Sequence, residues 1–242
     1  MFRLIRFMWK LTWRLQLIAL AAAAGFAVGF YRLVVEEQRT WGLDPSEAER
    51  PLPGDELVAD AIVSETRGID IDAPPEAVWP WLVQMGYGRA GWYSYDQIDM
   101  DGESADSVLD EYQELTEGDR MPTHPGGGFE VKELQPNEAL VLYLDTELVN
   151  AEATDEATPV GLQGAGVMGD MAMSEFRSSW VFVLEPAAGG RTRLIERMRF
   201  WASDSGGPQR LAMPMMGLGV FVMTRKHMLG LKERVERATL EG

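Results

Sequence analysis

The chain has 242 residues, of which 46% are hydrophobic and 25% are charged, a composition typical of a folded protein and not of a disordered one. It contains no cysteine, which excludes a disulfide scaffold, a cysteine-ligated zinc site, an iron–sulfur cluster and a thiolate nucleophile. The net charge of −16 opposes binding to DNA or RNA, because phosphate backbones carry the same sign.

Residues 1–35 form a basic N-terminus followed by an apolar run. Residues 15–31 carry no charge, and a helix of this length spans roughly 25 Å, close to the thickness of a bilayer core. The pattern predicts a single-pass anchor in the cell membrane. Because basic flanks stay on the cytoplasmic side, the N-terminus is expected in the cytoplasm and the acidic remainder outside it. A cleaved signal peptide, with a cleavage site at Ala22–Ala24, is the alternative.

Residues 36–60 are rich in acids and prolines. Like charges repel and prolines favour extended backbone, so an extended tether is predicted here. The folded domain is expected to comprise residues 61–242.

The rest of the chain alternates short strands with few helices. A strand is predicted over residues 62–72, and a short helix follows over residues 76–85. A glycine-rich turn then leads into Trp92–Asp96. Further strands are predicted over residues 128–134, 139–145, 175–185 and 192–201, before a long helix over residues 209–240. This order predicts an α+β fold, with one curved antiparallel sheet around the C-terminal helix.

Four stretches carry a family resemblance. They are IDIDAPPEAVWPWLVQMGYGRAGWYSYD (69–96), SSWVFVLEP (178–186), GGRTRLIERMRF (189–200) and LGLKERVER (229–237). Together they resemble the SRPBCC superfamily, the START-like or polyketide-cyclase-like proteins, and RPLPGDELV (50–58) resembles the lead-in of its membrane-anchored bacterial members. The resemblance implies a helix-grip fold with a cavity between sheet and helix. Its members include lipid carriers, hormone receptors and aromatic cyclases, which share no catalytic motif that could be transferred.

The predicted strand over residues 192–201 places Glu196 on an apolar face with Leu194, Met198 and Phe200. A buried carboxylate needs a partner or takes a raised pKa, so Glu196 is a candidate for orienting a ligand or for acid–base chemistry. A cross-strand ion pair, for instance with Arg177, is the alternative. The other candidates for the cavity and its mouth are Trp92, Tyr93, Tyr95, Asp96, Trp180, Met198, Met216 and Val220.

More than half of the 14 methionines fall within residues 168–228. Methionine suits a wall that adapts to an apolar guest, although ordinary core packing explains the same pattern. The G-x-G-x-x-G at residues 164–169 lacks the strand–helix context of a dinucleotide site, so no cofactor is predicted, and no metal site is predicted either. His227, beside Arg225 and Lys226, is expected at the surface.

These features predict a membrane-anchored domain that binds or transfers a small hydrophobic molecule, such as a lipid, an isoprenoid or a polyketide-like compound. One alternative is a cyclase or dehydratase that acts through Glu196 or a tyrosine. The other alternative is a protein-interaction module with no ligand.

Overall fold

The computed structural model describes residues 2–31, 37–99, 102–125, 127–152, 175–203 and 208–241. The chain divides into two units, residues 1–38 and 39–242, and most internal contacts lie within the second.

The first unit is built on helix α1 (Phe2–Phe30), and a short helix α2 (Glu37–Arg39) lies at the boundary between the units. Within α1, Thr12–Phe30 is long and apolar enough to cross a membrane, with a mean hydropathy of 1.5. Its described side chains are exposed nearly all round, as expected of a segment that is not a core helix. A signal sequence near an N-terminus has the same properties.

The second unit contains a six-stranded antiparallel sheet of order β1-β6-β5-β4-β3-β2. The strands are β1 (Val63–Ile71), β2 (Arg120–His124), β3 (Gly127–Gln135), β4 (Ala139–Asp145), β5 (Phe176–Ala187) and β6 (Arg191–Ala202). The helices are α3 (Pro45–Glu49), α4 (Pro75–Val83), α5 (Asp96–Asp99), α6 (Thr146–Glu152) and the long α7 (Pro208–Glu241). Single 3-10 turns occur at Asp55–Val58 and Asp110–Tyr112. The predicted α+β helix-grip fold is confirmed, whereas β2, α5 and α6 were not predicted.

The main core lies between α7 and one face of the sheet, which we call the concave face. Met228, Leu231 and Val235 of α7 belong to the same buried cluster as the side chains that alternate along the strands. On the sheet these include Ile69, Ile71, Leu140, Leu142, Trp180, Phe182, Leu184 and Leu194. Burial of this apolar surface, at about 25 cal/mol per Å², is the main force that holds α7 in the curve of the sheet.

The opposite, convex face is covered by the segment for which an extended tether was predicted. Leu52 and Val58 are buried, and Leu52 packs in a second cluster with Val141, Val181 and Ile195. The acids of the segment meet arginines of β6: Arg193 binds Glu47 at 3.0 Å and Arg197 binds Asp55 at 2.7 Å. The tether prediction therefore fails for residues 43–58, because these acids pair across to β6 and do not simply repel one another.

One glycine allows α7 to reach its position. A Cβ built on Gly230 would lie 2.1 Å from the carbonyl oxygen of Tyr93, a backbone atom that cannot move aside alone. We expect Gly230→Ala to destabilise the fold by about 1–3 kcal/mol through overpacking. Gly219→Ala in the same helix has no atom within 4 Å of its Cβ and should stabilise by about 0.5–1 kcal/mol. Denaturant unfolding of both variants checks this, and equal effects would contradict the packing of α7 on Tyr93.

Candidate functional site

A cluster of charged side chains lies on the concave face, beneath α7. The register of β1 and β6 places Arg67 directly opposite Glu196, and Glu65 directly opposite Met198. Arg67 and Glu65 are both buried and form an ion pair. The guanidinium of Arg67 also lies 5.5 Å from the ring centroid of Phe221 in α7. Three charged groups therefore share a face that is otherwise apolar and aromatic.

Glu196 is 1% exposed and only half of its carboxyl group is hydrogen-bonded. Its Oε1 accepts a hydrogen bond from the indole Nε1 of Trp180 at 2.9 Å, whereas Oε2 has no hydrogen-bond partner among the described residues. Burial raises the pKa of Glu196 to about 7, and the opposing effects of the Arg67 charge and the Trp180 hydrogen bond do not cancel it. Arg177 is not the cross-strand partner of Glu196, because it binds Asp60 at 3.0 Å, and the arginine that lies across from Glu196 is Arg67 of β1.

His227 lies in the same core, 2% exposed, and the prediction of a surface position was wrong. Its Nδ1 lies 2.6 Å from the backbone carbonyl oxygen of Trp92. A carbonyl only accepts, so Nδ1 carries the proton and Nε2 is a bare acceptor. Within the described structure this buried Nε2 has no hydrogen-bond partner. Burial lowers the pKa of His227 to about 4, so the imidazole is neutral at physiological pH.

Aromatic rings frame both groups. The rings of Trp92 and Trp180 stack with centroids 5.1 Å apart, and the His227 ring lies 6.0 Å from Trp180 and 5.8 Å from Phe182. The ring of Tyr93 stacks on the ring of His227, with centroids 6.3 Å apart. These contacts restrict the rings of Trp180 and His227. The carboxyl group of Glu196 and the Nε2 atom of His227 are therefore held in fixed positions beside the indole of Trp180.

The turn before α5 holds the Trp92 carbonyl in place. Tyr93 adopts a φ of 55°, which is unfavourable for a residue with a Cβ. Its N–H donates to Ser104 Oγ at 3.0 Å, and its hydroxyl accepts from Gln84 at 2.8 Å and donates to the Trp81 carbonyl at 3.0 Å. These three hydrogen bonds fix the strained conformation of Tyr93, and backbone strain of this kind clusters at functional sites.

Away from Glu196, the concave face becomes less buried toward the ends of β5 and β6. Met198 and Phe200 follow Glu196 on the same face of β6 and are partly exposed, as are Leu144 of β4 and Phe176 of β5. The rings of Phe176 and Phe200 stack at 6.3 Å. These partly exposed apolar side chains on the inner face are a candidate contact surface for an apolar ligand.

The structure brings together four of the predicted site residues: Trp92, Tyr93, Trp180 and Glu196. Met198 packs against the edge of the core, and Val220 of α7 is partly exposed.

The remaining predicted residues lie elsewhere. Tyr95 is 41% exposed, and Asp96 accepts hydrogen bonds from the backbone N–H and the hydroxyl of Ser104, which orders the turn. The side chain of Met216 and the methionines at 168, 171 and 173 lie outside the described residues. Among the residues that were described, no group of three or more His, Cys, Asp or Glu side chains could hold a metal ion.

Sequence reasoning missed Glu65, Arg67 and His227. The helical spacing of Thr224, His227, Met228, Leu231 and Val235 would have identified His227, since all five are buried along one side of α7. Glu65 and Arg67 are in phase with Ile69 and Ile71 on β1, so the interrupted apolar alternation that identified Glu196 would have identified them too.

Comparisons with known proteins assign no family to the chain. No family model matches the chain, and no curated protein matches it. Among solved structures, a protein from Mesorhizobium loti is 18% identical, with 72% of this chain and 98% of that chain covered and a TM-score of 0.37. A conserved protein from Geobacillus kaustophilus is 12% identical, with 73% and 97% covered and a TM-score of 0.40. A protein from Arthrobacter aurescens is 16% identical, with 78% and 92% covered and a TM-score of 0.40.

Proposed function

We propose that residues 39–242 are a START-like domain of the SRPBCC superfamily that binds or transfers a small, mainly apolar molecule on the concave face beneath α7. Lipids, isoprenoids and polyketide-like compounds are the classes that fit such a surface. Glu196 and His227 form the polar end of the site, and the partly exposed side chains of Met198, Phe200 and Phe176 form its apolar entrance.

The observation that carries the proposal is a pair of buried polar atoms without hydrogen bonds among the described residues: Glu196 Oε2 on the concave face and His227 Nε2 on α7, which packs against that face. Each such atom costs about 1–3 kcal/mol, and folded proteins keep few of them. Two of them beside one indole ring are explained if a bound molecule supplies the missing partners.

The same proposal places the domain outside the cytoplasm, attached to the cell membrane through Thr12–Phe30. Support comes from the length and apolarity of this helix and from the basic residues that precede it, such as Arg3, Arg6 and Lys10. Protease treatment of intact cells tests the orientation: digestion of the domain without lysis is expected, and full protection would contradict it.

Native mass spectrometry of the full chain, ejected from nanodiscs made with a single synthetic lipid, tests the binding. We expect a reproducible adduct on the order of a few hundred daltons that differs in mass from that lipid, and organic extraction then identifies it. A wild-type chain without any adduct would contradict the proposal.

A matched pair of variants locates the adduct. Ser178 lies on the concave face of β5, opposite Leu144 and Phe200, so Ser178→Phe is expected to fill the entrance and remove the adduct. Ser46→Phe places the same ring on exposed α3 and should leave the adduct unchanged. Retention of the adduct in Ser178→Phe would show that it binds elsewhere.

A further inference from the structure

The hydrogen-bonding needs of the two unpaired atoms restrict which polar group of a ligand could pair with both. Both residues lie against the indole of Trp180: Glu196 through its 2.9 Å hydrogen bond, and His227 through ring centroids 6.0 Å apart. His227 Nε2 needs a donor, because Nδ1 holds the ring proton against the Trp92 carbonyl at 2.6 Å.

Glu196 can act as the hydrogen-bond donor of the site. Burial raises its pKa to about 7, so a large share of the population is protonated near neutral pH. Trp180 already donates to Oε1, which leaves Oε2 as the atom that carries the proton and can donate it. The site therefore contains one acceptor and one donor, in an aromatic surrounding.

Few functional groups can pair with both the acceptor of His227 and the donor of Glu196. A ketone, ester or ether only accepts and leaves His227 Nε2 without a donor. A carboxylate only accepts as well, and it would add a negative charge close to Glu65 and Glu196. An ammonium group could donate to both His227 Nε2 and an ionised Glu196, but its desolvation between aromatic rings and the nearby positive charge of Arg67 oppose it. A neutral hydroxyl group both donates and accepts through a single oxygen atom, whereas an amide or a carboxylic acid needs two atoms for the two roles.

Resting on the proposed function, we propose that the bound molecule is an apolar alcohol or phenol, whose single hydroxyl group donates to His227 Nε2 and accepts from Glu196. The hydroxyl then supplies both missing partners, while the rest of the molecule lies along the partly exposed apolar side chains toward Phe176 and Phe200. The arrangement selects the hydroxylated form of a compound over its ether or its hydrocarbon.

Titration calorimetry with β-naphthol and its methyl ether tests this selection, with the full chain in nanodiscs and the heat of empty nanodiscs subtracted. The two probes have nearly the same apolar surface, but only naphthol can donate. We expect naphthol to bind at least about tenfold more tightly than the ether, since the ether leaves a buried acceptor unpaired. Equal affinities would overturn the inference and leave the proposed apolar site standing.

Variants assign the preference to the two side chains. His227→Phe and Glu196→Leu are each expected to lower naphthol affinity to about that of the ether without weakening the ether itself. Ser46→Phe, on the exposed surface of α3, should preserve the full preference. A naphthol preference that survives both core variants would overturn the assignment. If neither probe binds while the native adduct is present, the alcohol inference fails alone; if the adduct is also absent, the proposed function fails with it.

Discussion

Arg67→Met is expected to destabilise the domain by about 3–5 kcal/mol, because it leaves buried carboxyl groups without their cation. Arg67 is 1% exposed, forms the ion pair with Glu65 and faces Glu196 across the β1–β6 register. Methionine has a volume similar to that of arginine, so the loss of stability would come from the missing charge and not from a cavity. Urea unfolding of the full chain in detergent micelles, followed by tryptophan fluorescence, measures the effect.

A surface ion pair provides the control for this prediction. Arg237 binds Asp106 at 2.8 Å, with side chains 43% and 73% exposed, so Arg237→Met should cost less than about 1 kcal/mol. Adding Glu65→Gln to Arg67→Met should recover part of the lost stability, because it removes one unpaired buried charge. An Arg67→Met variant as stable as Arg237→Met would contradict the buried charge cluster.

The second large effect concerns pH. We expect the contributions of Glu196 and His227 to the stability of the domain to change in opposite directions as the pH rises. The pKa of Glu196 rises from 4.5 to about 7 on folding, so its stabilising contribution is complete below pH 4.5 and is lost as the pH rises through about 7. The pKa of His227 falls from 6.5 to about 4, so its contribution is complete above pH 6.5 and is lost as the pH falls through about 4. Between about pH 4.5 and pH 6.5, Glu196 lowers the free energy of unfolding as the pH rises and His227 raises it. These two slopes offset each other in the wild type.

Single substitutions separate the two slopes. In Glu196→Gln only the histidine slope remains, so the free energy of unfolding should rise by roughly 3 kcal/mol relative to wild type from pH 4.5 to pH 7. In His227→Phe only the carboxyl slope remains, and the difference from wild type should fall with pH between 4 and 6.5. Differences between variant and wild type cancel the titration of exposed carboxylates. Flat difference curves in both variants would contradict the burial of these groups.

The sequence predicted the fold well because the strands and the long helix follow simple periodicities. The strand expected over residues 139–145 coincides with β4, and the helix expected over residues 209–240 coincides with α7 within one residue at each end. The error at residues 43–58 has a physical reason: composition predicts an extended chain, but it contains no information on the arginines of β6 that pair with these acids.

The site was only partly predictable. Glu196 was identified because a carboxylate interrupts an apolar alternation, which is a local signal. His227 was assigned to the surface because its chain neighbours are basic, although the buried side of α7 was readable from helical spacing. The link from the Trp92 carbonyl to His227 joins positions 135 residues apart, and it depends on the left-handed conformation of Tyr93, which no sequence pattern announced.

Fluorine NMR of the full chain labelled with fluorotryptophan tests most directly whether an apolar molecule binds on the concave face. The eight tryptophans give separate probes of each surface, assigned through Trp→Phe variants. On titration with β-naphthol we predict saturable shifts for Trp180 and Trp92, which frame Glu196 and His227, and no shift for Trp201, which faces Arg177 on the convex side at 4.4 Å. Shifts confined to the exposed Trp9 and Trp13 of α1, with Trp180 and Trp92 unchanged, would contradict the account.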